Sequence, residues 1–176
     1  MSGHSKWSKI KHKKAASDAH KSKIFGKLAR LVAMESKSAK GDLNAPGLRT
    51  AIEKAKAMNM PSDNIDRAVK KGVGSGAEQM EHVVYEAYGP GGSALIIEGL
   101  TDNRNRTSQE IKHILSKNDA SLAQRGAASW AFEKKNGEWS PTTSTPLSPE
   151  DEEKLEKIIE ELEDNDDVQD VSTNAE

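Results

Sequence analysis

The chain has no cysteine. Disulfides, zinc–thiolate sites and thiol nucleophiles are excluded with it, and the lack fits a reducing compartment. Aromatic residues are scarce, at 4%, and hydrophobic residues make up only 34% of the 176. That supply is thin for one large core and fits two small cores joined by polar segments. No apolar run nears the roughly 20 residues of a membrane-spanning helix. The basic N-terminus lacks the apolar stretch of a signal peptide. The expectation is a cytoplasmic monomer with no membrane partner.

Charge is plentiful, at 31% of residues, and the net value of −2 hides how it is distributed. Residues 1–72 hold 17 Lys+Arg and 6 Asp+Glu; residues 73–149 hold 7 and 9; residues 150–176 hold 2 and 13. A basic front and an acidic rear suggest a polyanion-binding front. Two solvated surfaces of opposite sign are the plainer account. The clustering favours a partner: positions 4–23 carry seven lysines, three histidines, one tryptophan and a single acid, Asp18.

Residues 1–14 show no helical stripe and read as a flexible arm, self-repelling until an anion arrives. Lys6, Lys9, Lys11, Lys13 and Lys14 can each displace counterions from a phosphate backbone. Trp7 can stack on an unpaired base or pack on the neighbouring helices. His12 can gain charge against phosphate. Lysine is a point charge without the planar fork of arginine, so the arm suits backbone contact better than base reading.

A helix is predicted over about 15–36, with Ile24, Phe25, Leu28, Leu31 and Val32 as its apolar stripe. Lys21, Lys23, Lys27 and Arg30 lie mostly off that stripe and extend the basic surface. A second helix is predicted over 48–58, and a short third one carries Ile65, Ala68 and Val69 and stops at Gly72. Asn64 and Arg67 are the third helix's only candidates for base recognition. Residues 73–80 read as a linker. HVVYEAYG and SALIIEGLT, around PGG, signal a β-hairpin. A helix follows from about Thr107, then two short strands around Asn136-Gly137. Residues 140–148 form a Ser/Thr/Pro linker, SPEDEEKLEKIIEELEDN an acidic amphipathic helix, and DVQDVST a last strand. The fold class is α+β and multi-domain. A basic all-α bundle of three helices, 1–72, precedes a small antiparallel-sheet α/β domain, ferredoxin-like, formed by 81–139 and 149–174.

TDNRNRT, at 101–107, lies between a predicted strand and helix. Asn103, Arg104, Asn105 and Arg106 can grip phosphates or bases. The local alternative is that Asp102, Asn105 or Thr107 caps the helix and the arginines are surface charges. YGPGG precedes a strand and not a helix, so it is a turn and not a phosphate cradle. With Met1 removed, Ser2-Gly3-His4 would offer nitrogens suited to Cu(II) or Ni(II). Such tripeptides arise by chance, and no metal or cofactor is assigned. No nucleophile elbow or acid–base pair is evident, so no enzyme is expected.

MSGHSKWSKIKHKKAASDAHKSKIFGKLAR, YEAYGPGGSALIIEGLTDNRNRT and LEDNDDVQDV occur in this order, and together they closely resemble the YebC/PmpR family. The resemblance implies an all-α domain followed by two α/β domains, the third inserted in the second. It also implies DNA binding and transcriptional regulation, although the family includes a mitochondrial translational activator. Only residues 140–148 stand where the family carries its inserted domain. That domain is expected to be missing, with the flanking pieces still completing one sheet. A ribosome-associated factor binding ribosomal RNA and a protein-interaction module remain alternatives.

Overall fold

Apolar residues three and four apart, from Phe25 to Val32, place one face of α1 (Asp18–Ser38) against α2 (Pro46–Ala57) and α3 (Ser62–Val73). The computed structural model describes residues 18–75 and 79–176, which divide into a helical unit, 18–81, and an α/β unit, 82–176. The arm residues Lys6, Trp7, Lys9, Lys11, His12, Lys13 and Lys14 lie outside the described residues. The helical core is built on Val32, Leu48, Ala51, Ala55, Met60, Ile65 and Ala68. Proline opens α2 at its first turn, where no backbone N–H is missed. Pro61 stands at the N-cap of α3.

Gly72 corrects the sequence reading. It does not stop α3 but lies buried inside it, and the helix runs on to Val73. A Cβ at Gly72 would run into the carbonyl oxygen of Ala33 and lie 2.7 Å from Ser36 Cβ. Glycine is therefore what lets α3 press on α1, and Ser36 Oγ then donates to the Val69 carbonyl at 2.7 Å. Gly72→Ala is expected to destabilise the helical unit by about 1–3 kcal/mol, the cost of overpacking against backbone. Thermal unfolding followed by circular dichroism would measure it.

In the second unit, β1 (Glu81–Tyr88) and β2 (Ala94–Thr101) form the predicted hairpin, closed by a 3-10 turn at Pro90–Gly92. They are the central pair of a four-stranded sheet, with β3 (Ser121–Ala123) outside β1 and β6 (Val168–Thr173) outside β2. The helices α4 (Arg104–Ser116) and α5 (Pro149–Asp164) bury Ile111, Leu115, Leu155, Ile158, Ile159 and Leu162 with Leu95 and Ile97 of β2. Each such side chain contributes roughly 1.5–3 kcal/mol through burial. The helices-on-one-face layering is as expected. The connectivity differs from a ferredoxin-like β-α-β-β-α-β order: two strands come first, and a separate hairpin precedes α5. That hairpin, β4 (Phe132–Lys135) and β5 (Glu138–Pro141), turns at Asn136-Gly137, both with positive φ.

The opposite face of β2 is covered too. Ala94 and Ile96 pack under Ala128, Ala131 and Phe132, with Trp139 against them. The pieces flanking 140–148 do meet in one sheet through β2 and β6. The intervening segment is stitched down: Thr145 N donates to the Asn174 carbonyl and Glu176 N to the Thr145 carbonyl, both at 2.9 Å. Val168 and Val171 are three apart, which strict alternation cannot bring to one face. The register of β6 shifts opposite Glu98 and Gly99, and this irregularity places both valines in the core.

Candidate nucleic-acid interface

The helical unit carries its cations on α1 and α3. Lys21 is exposed, and Lys23, Lys27 and Arg30 are half-buried with their stems along the helix surface. Arg67, Lys70 and Lys71 are exposed on α3, and the two lysines fall in its last turn, where the helix dipole favours positive charge. Between the two helices lies a cleft of about 580 Å³. Phe25, Ala29, Ala33, Met60 and Ala68 contribute its apolar wall. Arg30, Lys37, Arg67 and Lys71 contribute its charge, and among the described residues no carboxylate belongs to the lining. A concave surface of one sign focuses the field on an approaching anion.

Arg67 is oriented by its own helix. Its Nε donates to the Asp63 carbonyl at 3.3 Å, and its NH2 donates to Asn64 Oδ1. Asn64 and Arg67, read from sequence as base-recognition candidates, are thus bonded to each other at the cleft wall. Lys37 and Lys71 were not singled out. The signal was present: Asn64, Arg67, Ala68 and Lys71 recur at i, i+3, i+4 and i+7, as do Arg30, Ala33 and Lys37 at i, i+3 and i+7. What the spacing lacked was the knowledge that α1 and α3 face each other.

TDNRNRT behaves differently from its reading as a loop. The helix begins three residues earlier than expected, at Arg104, so Arg104, Asn105 and Arg106 form its first turn. Asn103 is the cap, and not Asp102, Asn105 or Thr107: its Oδ1 accepts from Arg106 N at 3.1 Å. The Arg106 guanidinium lies 2.8 Å from both Asp102 Oδ1 and Asp167 Oδ2. Hydrogen bonds to Asp167 and then Asp102 hold it charged well above the ordinary arginine range. Asp167 is buried, and its Oδ2 also lies 2.8 Å from Thr107 Oγ1, which is 2.8 Å from Thr101 Oγ1. The cluster ties the end of β2, the start of α4 and the approach to β6 into one knot. Arg104 and Asn105 point from the same turn and are exposed.

Asp167→Asn keeps the shape and removes the charge that Arg106 and Thr107 face. It is expected to cost about 1–2 kcal/mol, readable as a lower urea midpoint with an unchanged slope.

Residues 5–75 match the family model described as the TACO1/YebC protein N-terminal domain. Residues 80–137 and 136–175 match that of the TACO1/YebC second and third domain. The chain belongs to the TACO1/YebC family. It is 53% identical over 137 residues to a "Probable transcriptional regulatory protein" of Fervidobacterium nodosum, covering 77% of this chain and 54% of that protein. A protein of the same name from Trichlorobacter lovleyi is 52% identical over 138 residues, covering 77% and 56%. The chain therefore spans about half the length of the curated relatives it matches. It is also similar to the crystal structure titled as a conserved hypothetical protein, Aq1575, from Aquifex aeolicus: 31% identity, a TM-score of 0.79, and coverage of 90% of this chain and 91% of that one.

In this TACO1/YebC chain, the cleft residues named above and the basic face of α1 fall within the N-terminal-domain match, and the Asp102–Arg106–Asp167 knot falls within the other. The two pieces of that second match adjoin at Asn136-Gly137, the turn of the β4–β5 hairpin. Among the described residues no helix is long and apolar enough to cross a membrane, and no group of three or more His, Asp or Glu is placed to hold a metal ion.

Proposed function

We propose that this chain is a nucleic-acid-binding protein that regulates transcription, and not an enzyme. The relatives' names speak for transcription in those proteins. The observation that carries the reading here is the concave surface between α1 and α3, to which Arg30, Lys37, Arg67 and Lys71 and, among the described residues, no carboxylate contribute. Lys21, Lys23, Lys27 and Arg30 extend it along α1, and Lys6, Trp7, Lys9, Lys11, His12, Lys13 and Lys14 extend it in sequence. Phosphate attraction by such a surface is strong at low salt and independent of base sequence. In the second unit, Arg104 and Asn105 are the better candidates for contact, since Asn103 caps α4 and Arg106 is held by two carboxylates.

One observation favours a second reading, a factor bound to ribosomal RNA. Asn64 and Arg67 engage each other on α3, which weakens that helix as a major-groove reader. Lysine-rich backbone contact serves structured RNA equally well. Sedimentation through a lysate gradient at about 100 mM salt separates the two. Comigration with nucleoid material that is lost on DNase treatment supports the transcriptional reading. Comigration with ribosomal subunits that survives DNase replaces it with the second. Protein at the top of the gradient in every case sinks both.

A further inference from the structure

We propose that the cleft between α1 and α3 seats an unpaired nucleotide, with its base on the apolar wall and its phosphate on the basic rim. This deepens the nucleic-acid reading and rests on it. The volume, about 580 Å³, lies inside the roughly 300–1,000 Å³ of small-molecule sites. The chemistry is divided as a nucleotide is divided. Phe25 supplies a π-face for a base, and Arg30, Lys37, Arg67 and Lys71 supply cations for a phosphate.

Gly26 is the second observation. It sits inside α1 and belongs to the cleft lining. Glycine weakens a helix interior, so its presence there calls for a reason. Gly72 has one, because α1 backbone lies against it. Gly26 has none of that kind: beyond its chain neighbours and its own helix backbone, no atom of the described residues lies within 4 Å of where its Cβ would stand. Neither its backbone conformation nor helix packing requires glycine. Among the described residues, what the missing side chain leaves is open space next to Phe25, where a flat ring can approach the helix backbone.

Charge selects the occupant. The chain's own N-terminal segment has the same sign as the rim. An acidic peptide would match the rim but would offer no flat ring to Phe25 and the clear side of Gly26. A nucleotide uses both. Ribonucleotide and deoxyribonucleotide share this chemistry.

The test uses the full chain, isotope-labelled, titrated with AMP, dAMP and inorganic phosphate while amide resonances are followed. AMP or dAMP is expected to shift Gly26, Ala29, Ala33 and Lys71 saturably, with a dissociation constant at least about tenfold below that of inorganic phosphate. Tighter AMP assigns the source to RNA; dAMP as tight or tighter assigns it to unpaired DNA; both outcomes support the seat. Gly26→Ala should raise the melting temperature yet weaken AMP, while Lys71→Gln should weaken AMP and phosphate together. Phosphate as tight as AMP overturns the proposal. So does unchanged AMP affinity in the Gly26→Ala variant, or a glutamate-rich peptide that saturates the same amides more tightly. Salt-sensitive binding of oligonucleotides without any AMP shift in the cleft overturns the seat alone and leaves the nucleic-acid reading in place. AMP in the cleft without affinity for any oligonucleotide overturns that reading instead.

Discussion

Glu86→Ala is expected to lower the melting temperature of the α/β unit by more than about 10 °C, from a loss of about 3 kcal/mol. Glu86 lies on the face of β1 away from α4 and α5, yet it is 7% exposed. Its Oε1 accepts from Ala128 N at 3.0 Å and Ser129 N at 2.6 Å, and its Oε2 from Gly126 N at 2.5 Å. The same loop is pinned by two aromatic groups, since Tyr88 Oη and Trp130 Nε1 both donate to the Ala127 carbonyl, at 2.5 and 2.9 Å. Ala128 and Ala131 then roof Ala94 and Ile96 of β2. Truncation leaves three backbone donors of this loop without their acceptor, that of the buried Ala128 among them, and unmade hydrogen bonds of buried groups are the costly kind. Glu86→Gln should fall between, because one oxygen remains while an amide NH2 meets a backbone N–H.

The pH dependence separates charge from shape. Burial opposes ionisation of Glu86, but the backbone donors at Gly126, Ser129 and Ala128 outweigh it and hold the carboxyl below its ordinary value of 4.5. As pH falls, the unfolded chain therefore takes up this proton first. The contribution of the charge is complete above the ordinary Glu range and drains away as acid brings the solution down through the lower folded-state value. Wild type and Glu86→Gln should differ most near neutrality and converge only as acid takes the solution below the lowered folded-state value. A constant gap across that range would show that shape, and not charge, holds the loop.

Glu86 also marks where sequence reading ends. In the strand, Val83, Tyr85 and Ala87 alternate inward as expected, and alternation alone sends Glu86 to solvent. Its partners are backbone N–H groups some 40 residues on. Backbone donors leave no mark in composition or spacing. The amphipathic helices were legible because their signal is local and periodic: all four stripe residues of α5 are buried. Asn136-Gly137 was legible because few residues accept positive φ. Gly72 was misread because a glycine near a helix end looks like a stop whether it caps the helix or admits a neighbour. The α1–α3 cleft was half legible, since each basic face could be seen but not their apposition.

The largest functional effect is expected from Lys21→Gln, Lys23→Gln, Lys27→Gln and Arg30→Gln combined. Each phosphate contact contributes roughly one counterion to the salt dependence. If these four side chains make such contacts, the log–log salt slope of oligonucleotide affinity should flatten by about 3–4. At about 100 mM salt the affinity itself should fall by about a thousandfold. Lys21 is exposed, the other three are half-buried, and none belongs to the helical core. The melting temperature should therefore change by only a few degrees. Lys9→Ala, Lys11→Ala, Lys13→Ala and Lys14→Ala combined should act in the same direction. An Arg104→Gln variant serves as the comparison from the α/β unit, with a slope change of at most about one. A quadruple α1 variant that keeps the wild-type slope would remove α1 from the interface. A variant that loses affinity only together with its fold would assign those cations to stability. An unchanged melting curve with a flattened slope is the outcome that ties this positive surface to phosphate.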